Sequence, residues 1–196
     1  LLSFEYGSTV CNASLSGISA CSPSQPLTKI YASFGYGYAY QFVQDTNGVW
    51  KSADGSVIAP NGAGWRITFS TGAVDDYDSN GRPIAVKDER GIGLVYSYNG
   101  ANQLSSITHT SGRLMSFTWS GSRVSAIVAP NGKGYGYGYN AAGYLASVVY
   151  PDNLGTRTYH YEDTAQPGGL TGISINGVRY SRYAYLGDGK VHWSGL

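Results

Sequence analysis

The sequence predicts an all-β protein made of stacked β-hairpin repeats of about 21 residues, which form a coiled β-sheet ribbon. Three observations lead to this class. The 196 residues include 28 glycines and 18 tyrosines, and tyrosine favours pleated strands whereas glycine permits tight turns. Short runs such as residues 134–139 alternate with period two. An aromatic residue followed by a polar turn also recurs along the chain at a nearly constant spacing.

Six aromatic anchors mark the repeat, and consecutive anchors lie 20 to 24 residues apart. The anchors are Tyr77, Tyr98, Trp119, Tyr139, Tyr161 and Tyr185. Four residues after an anchor comes a residue type that accepts the left-handed backbone conformation. These predicted turn residues are Gly81, Asn102, Gly143 and Gly189.

One repeat unit shows how each hairpin is built. The strand at residues 135–139 leads into a turn at Asn140, whose side chain can accept backbone N–H groups two residues on. An apolar return strand with Leu145 and Val148 follows, and a second turn lies at residues 152–153. Because one hairpin cannot bury a face alone, the units must stack. Tyrosines two residues apart then share a face and form columns.

The repeat pattern divides the chain into three predicted regions. Residues 1–30 form a nonrepetitive cap or linker segment, residues 31–76 an irregular β-hairpin region, and residues 77–196 the regular repeats. The unit that begins at Tyr161 carries an insertion, residues 162–169, which we expect to form a surface loop.

Charge and hydropathy argue against two classes of partner. The net charge is +1 and no basic block stands out, so the pattern does not predict a nucleic-acid partner. No run of about 18 apolar residues occurs, so no membrane span is predicted. The glycine pattern after Gly132 is not followed by a helix pattern, and a nucleotide cofactor is therefore not expected either.

Three groups of polar residues could carry chemistry, but each has a plainer interpretation. His160 and Glu162 have the spacing of some metal ligands, yet on a strand they would form a polar pair on one face. Asp75, Asp76 and Asp78 could bind calcium or act as paired carboxylates. Strand alternation instead separates Asp75 from Asp76, which favours turn and surface roles. We predict no catalytic centre, no metal and no cofactor.

Cys11 and Cys21 are the two cysteines of the chain, and nine residues separate them in a serine-rich segment. A disulfide is the favoured interpretation in an oxidising compartment, and two unpaired thiols are the alternative.

Aromatic residues cluster between residues 31 and 40 and allow two interpretations. They could line a sugar-binding strip, or they could pack as a structural ladder against the next coil, which we favour. The residues are Tyr31, Phe34, Tyr36, Tyr38 and Tyr40.

The run Y-D-x-x-G-R at residues 77–82 resembles the Rhs/YD-repeat family, and the resemblance extends over about residues 48–196. Residues 159–190 are also similar to a segment of bacterial Rhs-core proteins, as found in polymorphic toxins and wall-associated proteins. The chain departs from the literal pattern, since Tyr77–Asp78 is the one Tyr-Asp pair at the anchors.

The resemblance implies a section of a hollow β-shell wall. Family members enclose a C-terminal toxic domain, and related animal proteins serve adhesion. We therefore expect a structural scaffold that encloses or presents a polypeptide, and that is secreted or displayed on the surface of a bacterium. Its partners would be the remaining shell, the enclosed cargo or further copies of itself.

Two other functions stay open at this point. One is a secreted adhesin or carbohydrate-binding module that recognises a surface glycan. The other is a subunit that assembles through sheet edges into an oligomer or filament. The neighbouring coding sequence would discriminate, because a shell section predicts many further repeats.

Overall fold

A computed structural model describes residues 1–6, 9–12, 26–34 and 39–195, with residues 9–12 described by their backbone alone. The chain divides into two compact units, residues 1–114 and 115–196. Every regular element within the described ranges is a β-strand, which confirms the predicted all-β class. The described part of the chain forms no long apolar helix that could cross a membrane.

The first unit is an antiparallel meander in which most strands pair with their neighbours in sequence. Its strands are β1 (Leu2–Tyr6), β2 (Thr9–Asn12), β3 (Leu27–Ser33), β4 (Ala39–Gln44), β5 (Trp50–Lys51), β6 (Val57–Asn61), β7 (Gly64–Thr68), β8 (Val74–Tyr77), β9 (Pro83–Lys87), β10 (Gly93–Tyr98) and β11 (Leu104–His109). Strand β1 pairs with both β2 and β3. From β3 to β11 each strand pairs with the next.

The core of this unit is apolar and draws on its most N-terminal strands. Leu2, Ile30, Phe42 and Ile67 are fully buried together. The backbone N–H of Leu2 donates to the carbonyl of Gly81 at 2.7 Å, so β1 packs against the first regular turn. The described part of the predicted cap thus contributes to the core. The sequence-based divisions at residues 30 and 76 stay a prediction.

Two sequence predictions fall on parts of the chain that the structure does not describe. The backbone of Cys11 lies in β2, opposite Phe4, but its side chain and the whole of Cys21 are outside the described residues. The disulfide therefore stays a prediction. Tyr36 and Tyr38 of the aromatic cluster also lie outside the described ranges.

The second unit continues the same pattern of antiparallel neighbours. Its strands are β12 (Leu114–Ser120), which begins at the last residue of the first unit, β13 (Arg123–Val128), β14 (Gly134–Tyr139), β15 (Leu145–Val149), β16 (Thr156–His160), β17 (Gly172–Ile175), β18 (Val178–Tyr185) and β19 (Val191–Gly195). Each of these pairs with the next, from β12–β13 to β18–β19.

Register explains the alternation of tyrosine and glycine in β14. Tyr137 lies opposite the buried Val148, and Tyr135 lies opposite an isoleucine of β13. The tyrosines therefore share one face with aliphatic side chains, while Gly136 and Gly138 lie on the other face. The alternation is that of a half-buried strand, as the period-two pattern predicts.

Candidate functional site

The repeat anchors form a recurring contact between successive hairpins. In four of them the tyrosine hydroxyl donates to a backbone carbonyl 15 or 16 residues earlier. These bonds are Tyr98 to Pro83 at 2.8 Å, Tyr139 to Val124 at 2.9 Å, Tyr161 to Leu145 at 3.0 Å and Tyr185 to Leu170 at 2.9 Å. The acceptors lie at or beside the start of the return strand of the preceding hairpin. Each such anchor therefore ties its own hairpin to the previous one.

A second residue covers the ring of each of these anchors, and it immediately precedes the accepting carbonyl in sequence. The Arg82 guanidinium lies 4.3 Å from the centroid of the Tyr98 ring, a cation–π distance. Arg123 lies 5.6 Å from the Tyr139 ring. At the third of these anchors the ring of Tyr144 stacks on that of Tyr161, with 5.2 Å between the centroids. At the fourth, the backbone of Gly169 lies against the ring of Tyr185, since a Cβ on this glycine would come within 2.9 Å of the ring. The repeat pattern of the sequence did not indicate this covering residue, although in the first repeat it is Arg82, the Arg of Y-D-x-x-G-R.

In five of the six anchors, all except Tyr161, the turn after the anchor is closed by a residue in the left-handed conformation. At the predicted turn residues φ is 76° for Gly81, 62° for Asn102, 86° for Gly143 and 80° for Gly189. The paired strands also carry a bulge at the anchor, for example at Tyr77 and at Trp119. Trp119 keeps the bulge position, but an indole has no hydroxyl with which to form the bond that the tyrosines make.

The polar residue after the anchor supplies an acceptor to the turn. Asp78 accepts the backbone N–H groups of Asn80 and Arg82, both at 2.9 Å. Asn99 accepts the corresponding N–H groups of Ala101 and Gln103 at 3.0 and 2.9 Å. The turn needs a side-chain oxygen and not a charge. This is why asparagine can replace aspartate there without loss of the fold.

Arg82 carries more contacts than the turn requires. Its Nε donates to Asp78 at 2.7 Å and its Nη1 to the carbonyl of Asn102 at 2.9 Å. The residue is 5% exposed, so its charge is buried against Asp78 and the Tyr98 ring. One guanidinium thus links two successive turns.

The first anchor differs from the others, because Tyr77 donates its hydroxyl to Asp75 at 3.2 Å. Both residues are buried. Burial raises the pKa of the Asp75 carboxyl from 3.8 to about 6, and burial also raises the pKa of Tyr77.

The other two members of the acidic cluster have different surroundings. Asp76 accepts two hydrogen bonds from Arg66, at 2.6 and 2.8 Å, and these lower its pKa. Asp78 belongs to the turn. The three carboxylates therefore serve separate contacts, as strand alternation predicts for Asp75 and Asp76. Within the described residues, no group of three or more His, Cys, Asp and Glu side chains could hold a metal ion.

His160 and Glu162 form the polar pair that their spacing indicates, with 3.5 Å between Nδ1 and Oε1. His160 Nε2 lies 2.8 Å from the hydroxyl of Ser174. Arg179 donates to both oxygens of Glu162, at 3.1 and 2.9 Å, and these bonds lower the pKa of the Glu162 carboxyl. The structure thus adds an arginine partner that the sequence spacing did not show.

The described aromatic residues between 31 and 40 pack within the first unit. Phe34 and Tyr40 meet at 5.7 Å between ring centroids, and both contact Phe69. The hydroxyl of Tyr31 donates to Glu5 at 2.7 Å. These contacts correspond to the packing interpretation and not to an open sugar-binding strip.

Comparison with known proteins agrees with the recurring anchors. Residues 62–168, more than half of the chain, match the teneurin YD-shell family. The chain belongs to that family. Membership confirms the predicted YD-repeat resemblance, and a YD-shell chain is a structural, shell-like scaffold. None of the curated proteins matches the chain.

Solved structures similar to this YD-shell chain come from toxin complexes. A crystal structure of TcdB2–TccC3 is 15% identical with a TM-score of 0.48, and the match covers 76% of this chain and 10% of that one. A Tc holotoxin pore of Photorhabdus luminescens is 14% identical with a TM-score of 0.45, again covering 76% and 10%. The YD-shell chain thus spans about a tenth of the length of these structures.

Proposed function

We propose that the chain is a section of a shell wall that encloses or presents a polypeptide cargo, and that it has no catalytic activity. The observation that carries the proposal is the recurring anchor contact. In four of the six anchors the tyrosine hydroxyl binds the backbone of the preceding hairpin, for example Tyr139 to Val124 at 2.9 Å. Such contacts extend a sheet one hairpin at a time, which is the requirement for a wall.

The use of the polar side chains supports a structural role. Asp78, Asn99 and Arg82 are engaged in turn contacts, and Asp76 is engaged with Arg66. A general acid or base would need a titratable group that faces a substrate cleft. The buried Asp75 instead lies against Tyr77 inside the first unit.

The proposed partners are the rest of a shell polypeptide and the cargo inside it, and the proposed location is outside a bacterial cell. Membership of the YD-shell family supports this location. A hydrolase and nucleotide-binding screen should give no turnover. Reproducible turnover that disappears in Asp76→Ala or His160→Ala would contradict the proposed absence of catalysis.

Protease protection tests the enclosure of cargo. The experiment uses the polypeptide encoded by the gene that contains this segment, in which we expect further repeats and a downstream cargo. Replacing the four donating anchors, Tyr98, Tyr139, Tyr161 and Tyr185, by phenylalanine should expose the cargo to limited proteolysis. Tyr180→Phe is the matched control, because Tyr180 is 59% exposed. A gene without further repeats, or a cargo equally digested with and without the shell, would contradict enclosure.

A further inference from the structure

The repeat that begins at Tyr161 and carries the insertion contains a cleft of about 460 Å³. None of the four bonds from an anchor hydroxyl to a backbone carbonyl involves a residue that lines this cleft. Its lining includes Glu162 from the insertion, Arg179, Arg182 and Ala184 from β18, and Trp193 from β19. Insertions in a repeat commonly form loops on the binding face of a repeat protein. The cleft therefore lies where this chain departs from its own pattern.

The pairing of β18 with β19 places an arginine and an indole on the same face of the sheet. Trp193 lies opposite Ala184, and Arg182 is two residues from Ala184 on the same strand, so all three side chains point to one side. Trp193 is 48% exposed, and Arg182 is exposed as well. The flat indole of Trp193 and the guanidinium of Arg182 thus line the same cleft, with the small side chain of Ala184 between them.

One wall of the cleft is held rigidly by Arg179. Its guanidinium binds both oxygens of Glu162 and also donates to the carbonyls of Thr171 and Ser181, at 2.9 and 3.1 Å. Gly172 makes room for it, because a Cβ there would lie 2.5 Å from Nη2 of Arg179. The insertion is therefore fixed to the sheet before any ligand arrives.

Among the charged side chains that line the cleft, Arg182 has no ion-pair partner in the described part of the chain. Glu162 pairs with Arg179, and Asp163 accepts the backbone N–H groups of Ala165 and Gln166. No ion pair or hydrogen bond within the described part of the chain engages the guanidinium of Arg182. A ligand with one anionic group could bind there bidentately.

We propose that this cleft binds an acidic glycan through one carboxylated sugar, a uronic acid residue. The carboxylate of the sugar pairs with Arg182, and the apolar face of the pyranose ring packs on the indole of Trp193. Sugar hydroxyls donate to carboxylate oxygens of Glu162 and Asp163. Polyanions such as nucleic acids and acidic peptides fit less well, because these two carboxylates repel them.

Isothermal titration calorimetry with a trisaccharide that carries one galacturonic acid residue between two neutral galactose residues tests the proposal. The neutral methyl ester of the same trisaccharide is the matched ligand control, and 0.15 M salt screens long-range attraction. We expect binding of the acid and at least about tenfold weaker binding of the ester, since one charged hydrogen-bonded pair is lost. Equal binding of acid and ester, or no binding of the acid, would overturn the proposal.

Three variants assign the binding to the cleft. Arg182→Gln and Trp193→Ala should each weaken binding of the acid by about tenfold. Arg113→Gln removes the same charge from the other compact unit and should leave binding unchanged. Far-UV circular dichroism checks that each variant is folded, and Arg182→Gln changes an exposed side chain. An equal loss in Arg113→Gln and Arg182→Gln would show nonspecific attraction and would sink the assignment.

Discussion

At the scale of single residues, the first repeat buries two ionisable side chains, Asp75 and Arg82, whose effects on stability differ. Asp75 is 4% exposed and lacks a cationic side chain among its hydrogen-bond partners in the described structure, since Tyr77 is the donor to it. Arg82 is similarly buried, but Asp78 neutralises it at 2.6 Å. Burial of an unpaired carboxylate is unfavourable, whereas a paired guanidinium is tolerated.

Asp75 should make the first unit less stable as the pH rises. Its folded pKa of about 6 lies above the ordinary 3.8, so its contribution to stability is full below pH 3.8 and is lost as the pH rises through 6. Asp75→Asn keeps an acceptor for Tyr77 and should raise the free energy of unfolding by about 2 kcal/mol at pH 7.5, but hardly at pH 4. Urea unfolding at both pH values measures this.

Asp76→Asn is the control for this experiment. The pKa of Asp76 is lowered by Arg66, so its contribution is present above its ordinary pKa and is lost at acid pH. Asp76→Asn should therefore destabilise at pH 7.5, with the opposite sign to Asp75→Asn. The same sign for both variants would show that burial does not govern Asp75.

Arg82→Ala should destabilise the first unit by about 3 kcal/mol, because it leaves Asp78 without its ion-pair partner and uncovers the Tyr98 ring. Arg90→Ala is the matched control. Arg90 pairs with Asp88 in a turn of the same kind, but its side chain is 70% exposed, and such pairs contribute about 0.5 kcal/mol or less. Equal losses in urea unfolding would argue against a special role for burial at Arg82.

At the scale of the element, the hairpin is defined by its turn and joined by its anchor. The turn is local: an oxygen acceptor after the anchor and a left-handed residue at its close, as at Asp78 and Gly81. The contact between hairpins is not local, since the anchor hydroxyl donates to a carbonyl 15 or 16 residues earlier. The turn therefore depends on residues within one hairpin, whereas the placement of that hairpin in the sheet depends on the anchor bond to the preceding hairpin.

Tyr139→Phe should weaken the second unit by about 1 kcal/mol, since it removes the hydroxyl that donates to Val124 and leaves the ring in place. Tyr180→Phe removes a hydroxyl from an exposed tyrosine of β18 and should change stability by less than about 0.5 kcal/mol. Thermal or urea unfolding of both proteins measures the difference. Identical midpoints would mean that the anchor hydroxyl contributes nothing.

At the scale of the whole molecule, the low charge and the exposed apolar side chains predict association. The net charge is +1, which opposes contact between copies only weakly. Around β18 and β19, Val178 is 72% exposed, Tyr180 59% and Val191 58%. A surface of this kind on a strand pair favours contact with another chain.

We expect the average mass to rise with concentration in analytical ultracentrifugation, and Val191→Lys to shift the protein towards the monomer. Val43→Lys is the control, because it adds the same charge at a residue that is 46% exposed in the first unit. A monomer at every concentration would contradict association. If both variants reduced the average mass equally, net charge would explain the association, and the exposed side chains around β18 and β19 would not.

The sequence by itself determined the class, the period and the turns of this protein. Alternation along residues 134–139, the aromatic anchors and the residues with positive φ all depend on neighbours a few positions away. Backbone strain and side-chain periodicity act at that range, so they can be inferred from the order of residues alone. The family resemblance rests on the same short signals.

Only the tertiary structure decided which residues meet. Arg82 covers the ring of Tyr98, Asp75 is buried, and Arg182 lies beside Trp193 across two strands. These contacts depend on strand register and on the bulges at five of the six anchors, which bring together side chains that are far apart in sequence. Burial in turn sets the pKa of Asp75, because the cost of desolvation depends on the packed surroundings and not on neighbours in sequence.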